Sequence, residues 1–131
     1  MKPSASAKDF MVTNLVTLRP EMDIMEAIRL LVDHRISGAP VIDQLGNLVG
    51  ILSEKDCLTV ALEAGYHDEW GGQVKEYMNP DISTIDADTS ILDVANYFIN
   101  APYRRYPVMQ ENRLVGQISR RDVLKALQSL M

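Results

Sequence analysis

The chain has 131 residues, 47% of them apolar, which is one domain's worth of sequence and enough for a proper core. Its net charge of −5 argues against general nucleic-acid binding, because backbone affinity comes from neutralising phosphates with Lys and Arg. No apolar run approaches the roughly 18 residues of a membrane span, and the lone cysteine, Cys57, excludes an internal disulfide or a cysteine-based metal cluster.

Residues 1–6 are small and polar and are expected to be disordered, and residues 1–8 lack the apolar stretch of a signal peptide, so a cytoplasmic location is expected. Thr17-Leu18 reads as a short β-like piece. A helix follows over about 23–34, where Asp23 and Glu26 take the N-cap and N3 places and Ile24, Ile28, Leu31 and Val32 recur at helical spacing. Residues 39–42 and 48–52 form a hairpin around the turn residues 43–47, which include Gly46. Pro40 cannot donate to a ladder and is expected at a strand start. A second helix is predicted over about 54–64, and 65–73 form a linker in which Gly65, Gly71 and Gly72 break any helix. Trp70, in this linker, is placed to pack over a domain seam. Val74–Met78 is a candidate short helix.

The second half repeats the pattern. Thr84-Ile85 is the β-like piece, and a helix over about 90–100 starts with Ser90 and Asp93 and carries Ile91, Ala95, Phe98 and Ile99. Residues 106–109 and 114–118 form the hairpin, with Pro107 matching Pro40, and the final helix covers about 120–130. The likeness extends to identities. LVGILSEKDCL at 48–58 returns as LVGQISRRDVL at 114–124, and 11–42 aligns with 78–109 at a constant offset of 67, which falls to 66 beyond the hairpin turn. A one-residue deletion at a loop tip is where chains tolerate one. Two copies are too few for a solenoid, so a pair about a pseudo-twofold axis is the simpler architecture.

One constellation recurs where a strand hands over to a helix: Gly50-x-x-Ser53-x-x-Asp56 and Gly116-x-x-Ser119-x-x-Asp122. S-x-x-D is a helix-capping signature, and a cap by itself explains Ser and Asp. It does not explain the glycine, which suggests close approach by another backbone or by a ligand. The same atoms suit a nucleoside phosphate. A carboxylate can accept from both hydroxyls of a ribose, and a helix N-terminus presents free N–H groups to phosphate. Spacing alone leaves cap and ribose site evenly matched. Charge is also uneven: residues 104–131 hold Arg104, Arg105, Arg113, Arg120, Arg121 and Lys125 against Glu111 and Asp122, so that segment is +4 and the remainder −9. A solvated basic face explains such a run, and so does an anionic ligand.

The ordered set Thr17, Gly38-Ala39-Pro40-Val41, Gly50-x-x-Ser53-x-x-Asp56 resembles a cystathionine-β-synthase-type (CBS) domain. So does the set Thr84, Arg104-Arg105-Tyr106-Pro107-Val108, Gly116-x-x-Ser119-x-x-Asp122. The resemblance covers about 8–130. It implies an α+β fold of two β-α-β-β-α repeats, 8–64 and 74–131, joined by 65–73 and packed sheet to sheet as one Bateman module. It also implies an adenosyl ligand (AMP, ADP, ATP or S-adenosylmethionine) in clefts between the repeats. One site would use Thr17, the backbone of Gly38 and Ala39 beside Pro40, and Ser53 and Asp56 on ribose. The other would use Thr84, the backbone around Arg105, Tyr106 and Pro107, Ser119 and Asp122, with Arg120 and Arg121 at positions that often meet phosphate. Their counterparts Glu54 and Lys55 cancel in charge, so the two sites should differ, and Arg104 and Arg105 in place of Ser37 and Gly38 should narrow the second pocket.

No catalytic set is visible. His34 falls at a helix C-terminus and His67 in the linker, neither with a nucleophile or metal-ligand spacing, so no enzyme, metal or cofactor is expected. The expected function is a regulatory module sensing an adenine nucleotide, with output through a separate effector protein or through a dimer. The alternative is a structural interaction module whose motifs serve only as caps. Cys57, Leu58, Val60, Ala61 and Leu62 on one final helix, and Val123, Leu124, Ala126, Leu127, Leu130 and Met131 on the other, spread wider than a single buried stripe. Such a face marks an interface, and a twofold homodimer is expected.

Overall fold

Side-chain caps start the helices where the sequence places them. In the computed structural model, which describes residues 5–67 and 71–130, Asp23 accepts from the Met25 N–H at 2.8 Å and opens helix α2. Ser90 accepts from the Asp93 N–H at 3.2 Å and opens α5. In chain order the elements are α1 (Ala7–Phe10), α2 (Ile24–Asp33), β1 (Gly38–Ile42), β2 (Leu48–Ser53), α3 (Glu54–His67) and α4 (Val74–Tyr77). They continue with β3 (Ile85–Asp86), α5 (Ile91–Asn100), β4 (Arg105–Gln110), β5 (Arg113–Ser119) and α6 (Arg120–Ser129). The fold is α+β, with β1–β2 one antiparallel hairpin and β3–β4–β5 a three-stranded sheet in which β3 runs parallel to β4.

These elements divide into two compact units. Residues 16–82 form one around the β1–β2 hairpin, and residues 5–15 with 83–130 form the other around β4–β5. The cores use equivalent positions. Leu18, Ile24, Ala27, Leu31, Val41 and Leu52 in the first-hairpin unit match Ile85, Ile91, Val94, Phe98, Val108 and Ile118 in the second. Val74 seals the first core and Ala7 the second, both fully buried. Each short leading helix therefore packs in the unit of the other repeat's hairpin. The Val12 N–H donates to the Gln117 carbonyl at 2.8 Å, and the Asn79 N–H to the Ile51 carbonyl at 2.8 Å.

Those crossings explain the prolines, which stand mid-strand and not at strand starts. Pro40 faces Ile51, and Pro107 faces Gln117. Ile51 and Gln117 direct both backbone groups to Asn79 and Val12, so each proline sits in a pair that exchanges no ladder hydrogen bonds. The Pro40 carbonyl still accepts from Leu18 at 2.9 Å. The missing N–H costs nothing there.

Helix α3 runs through Gly65 to His67, three residues past the expected end. Glycine costs about 1 kcal/mol in a helix interior but does not forbid one. Residues 1–4 and Trp70 lie outside the described residues, as does the side chain of His67. Ala5 and Ser6, expected to be disordered, are ordered. Ser6 is buried and its N–H donates to the Asp9 carboxylate at 2.9 Å.

Candidate functional site

The end of each hairpin that leads into a helix brings the motif's serine and aspartate to the opening of the hairpin's first strand. In the first-hairpin unit Gly38 opens β1 and pairs with Ser53, the last residue of β2. The Glu54 N–H, which begins α3, donates to the Ser37 carbonyl at 2.9 Å and ties the helix start to the strand entry. Ser53 and Asp56 hold each other. The Ser53 N–H and hydroxyl both donate to Asp56 Oδ2 at 2.8 Å, and the Asp56 N–H donates to Ser53 Oγ at 3.1 Å. Ala39 and Pro40 are buried, while Thr17 is exposed and precedes Leu18, which pairs with Val41.

The second-hairpin unit repeats this arrangement. Arg105 opens β4 and pairs with Ser119 at the end of β5. The Ser119 N–H donates to Asp122 Oδ2 at 2.9 Å, the hydroxyl to the same oxygen at 3.0 Å, and the Asp122 N–H to Ser119 Oγ at 3.2 Å. Thr84 is exposed beside β3, and Pro107 is buried. Both serine–aspartate pairs are thus formed capping boxes. In each, Oδ2 makes the cap and Oδ1 has no hydrogen bond among the described residues. A carboxylate offers about four lone-pair sites, so the cap leaves half of its accepting capacity.

The glycine three residues before serine has its answer in a crossing segment, whose backbone carbonyls at Asn79 and Val12 would lie 3.2 Å and 2.9 Å from a Cβ on Gly50 and Gly116, with a methionine side chain nearer still. A Cβ on Gly50 would stand 2.6 Å from Met78 Sδ, and one on Gly116 would stand 2.5 Å from Met11 Sδ. The chain following each leading helix crosses there.

Charge separates the two ends. Arg120 and Arg121 are exposed in the first turn of α6, and the Arg120 N–H donates to the Arg104 carbonyl at 3.3 Å, bringing 104–105 beside 120–121. None of these four arginines forms an ion pair among the described residues, where the one such pair joins Lys8 and Asp88 at 2.8 Å. A helix N-terminus whose backbone neighbourhood carries four arginines without ion pairs favours negative charge by elementary electrostatics. The equivalent positions 37, 38, 54 and 55 are Ser, Gly, Glu and Lys, with no net charge.

The structure joins Thr84 and Tyr106, which the motif names, to residues that it does not. A hollow of about 400 Å³ in the second-hairpin unit is lined by Ser83, Thr84, Tyr97, Asn100, Ala101, Tyr103 and Tyr106. Tyr106 is buried, its hydroxyl donates to the Tyr97 carbonyl at 3.2 Å, and burial pushes its phenol pKa up from the ordinary 10.0, with Tyr103 adding to the shift. The available signal was three of the chain's five tyrosines within ten residues. In the first-hairpin unit an apolar hollow of about 330 Å³ lies between α2 and α3, lined by Met25, Ile28, Val32, Cys57 and Leu58 among others. Burial, ahead of the nearby Asp56 and Glu54 charges, raises the Cys57 thiol pKa there. Among the described residues no cluster of His, Cys, Asp and Glu is arranged to hold a metal, and no helix is long and apolar enough to cross a membrane.

The comparisons with known proteins agree with this fold. The chain is similar to protein MJ1225 of Methanocaldococcus jannaschii, 30% identical over 122 residues. It spans 93% of this chain and 42% of that relative, so the match is to less than half of the longer protein. Among solved structures it resembles CBSX2 of Arabidopsis thaliana in complex with AMP, with TM-score 0.84, 27% identity, and 96% and 98% of the two chains covered. It also resembles the CBS domain pair of protein MJ0100 in complex with 5'-methylthioadenosine and S-adenosyl-L-methionine, with TM-score 0.78, 25% identity, and 98% and 100% covered. The CBS domain model matches twice, at residues 7–63 and 74–129, so this chain belongs to the CBS domain family and carries the domain as a tandem pair.

Proposed function

We propose that the chain is a regulatory module that binds an adenosyl ligand and signals by a change of conformation. The observation that carries this reading is the repeated strand-to-helix end. There a capped aspartate with one unspent oxygen lies beside a serine and the opening backbone of a hairpin. Ser53 and Asp56, with Thr17, Gly38, Ala39 and Pro40, would hold one ligand. Ser119 and Asp122, with Thr84, Arg105, Tyr106 and Pro107, would hold the other. The carboxylate Oδ1 accepts from a ribose hydroxyl, and the helix start with Arg120 and Arg121 receives phosphate. AMP in the CBSX2 crystal, and 5'-methylthioadenosine and S-adenosyl-L-methionine with the MJ0100 pair, support an adenosyl ligand. A ligand changes such a module only through different affinity for two states. Catalysis has no part in this reading.

The end rich in arginine takes the more highly charged ligand, and its neutral counterpart binds more weakly. Titration of the whole chain with ATP and AMP, against Asp122→Ala and Asp56→Ala, tests this. Asp122→Ala is expected to weaken ATP at least tenfold, and Asp56→Ala to leave that event within about twofold. Equal losses from both variants contradict the asymmetry.

Dimerisation belongs to the same proposal. Val32 and Leu58 in one unit, and Ile99 and Leu124 in the other, occupy equivalent positions, and each is more than 60% exposed. A large apolar pair kept outside at the same place in both copies fits a second copy of this chain as its cover. A separate effector protein would then read the dimer.

A second reading also has an observation behind it. Both serine–aspartate pairs already satisfy their helix starts, so a purely structural interaction module needs no ligand to explain them. Under that reading no adenine compound binds.

A further inference from the structure

The tyrosine-lined hollow of the second-hairpin unit has no counterpart in residue type at the equivalent positions of the first. Tyr97, Tyr103 and Tyr106 match Leu30, Ile36 and Ala39. Leu30 and Ile36 are half-buried and pack against their own core, so aliphatic side chains suffice for packing at these places. Tyr97 and Tyr103 instead remain 52% and 43% exposed around a hollow of about 400 Å³. They are held, though, and not loose. Tyr106 meets Tyr97 edge-on at 6.5 Å between centroids and Tyr103 edge-on at 5.5 Å, and Phe98 backs it at 4.8 Å. The Tyr106 hydroxyl is spent on the Tyr97 carbonyl, which fixes the floor of the hollow. Two half-exposed rings set against a rigid aromatic floor, with Thr84 on the rim, form a platform on which a planar heteroaromatic ring stacks.

The geometry points to Tyr97 and Tyr103 as the residues that bind and select the ligand's ring, in the second-hairpin unit alone. The inference rests on the adenosyl reading above and deepens it: the end that carries the arginines also carries the ring platform. Tyr106 is part of the core, so a test should leave it intact. The half-exposed pair can be changed with the fold preserved, and circular dichroism and thermal melting of each variant check that.

Isothermal titration of the full chain with AMP, for wild type, Tyr97→Leu/Tyr103→Leu and Tyr97→Phe/Tyr103→Phe, decides the matter. The leucine pair is expected to weaken the tighter binding event on the order of tenfold, and the phenylalanine pair to stay within about twofold, because the ring and not the hydroxyl does the stacking. Leu30→Ala/Ile36→Ala should leave that event unchanged. Wild-type affinity in the leucine pair overturns the ring platform while leaving the adenosyl reading in place. No binding of AMP, ATP or S-adenosylmethionine to wild type removes the adenosyl reading and the platform with it.

Discussion

A Cβ on Gly116 would lie 2.5 Å from Met11 Sδ and 2.9 Å from the Val12 carbonyl oxygen. At Gly50 the corresponding contacts are 2.6 Å to Met78 Sδ and 3.2 Å to the Asn79 carbonyl oxygen. A methionine side chain can swing aside, but a backbone carbonyl held in a reciprocal hydrogen-bonded bridge cannot. Gly116→Ala should therefore cost about 1–3 kcal/mol, in the range for overpacking, and Gly50→Ala clearly less. Urea unfolding of both variants checks the order; equal costs would show that the side-chain clash dominates. The same residues show what was legible at this scale. The sequence leaves both a backbone and a ligand open as what approaches these glycines. The partner is a backbone that arrives from the other repeat, and nothing local to Gly116 announces Met11.

Among the elements, the caps and apolar spacing were enough to place α2, α5 and both hairpins, because Asp23 and Ser90 act through bonds within their own turn. The prolines were misplaced for the opposite reason. Whether Pro107 can stand mid-strand depends on where Gln117 sends its backbone groups, and that is set by Val12, more than a hundred residues upstream. Exposure on the helices carries a prediction of its own. Val32 and Leu58 on α2 and α3, with Ile99 and Leu124 on α5 and α6, are more exposed than a surface helix needs for its own packing. Light scattering at micromolar concentration should give a dimer for wild type and a monomer for Leu58→Glu/Leu124→Glu with unchanged circular dichroism. A monomeric wild type would contradict the interface.

For the whole molecule, the sequence repeats and the compact units differ by their leading segments. Family matches run over 7–63 and 74–129, yet Ala7 seals the core around β4–β5 and Val74 the core around β1–β2. Internal identity reveals that a unit is used twice; it does not reveal an exchange that leaves every residue in an equivalent environment. Of the three tyrosines around the hollow, the motif names Tyr106 alone; Tyr97 and Tyr103 lie outside it, and only the folded chain brings them to Tyr106. Under the proposed function, such differences between the copies make one end selective and its twin weak.

Thermal unfolding of the intact chain with and without ATP, in wild type and Asp122→Ala, tests the central claim most directly. Each protein serves as its own reference, so the lost cap cancels and only ligand linkage remains. At 100-fold over its dissociation constant, ATP should add about 2.7 kcal/mol to wild type and much less to the variant. An unshifted wild-type melt with ATP, AMP and S-adenosylmethionine alike would contradict the sensor and leave the paired aspartates as helix caps alone.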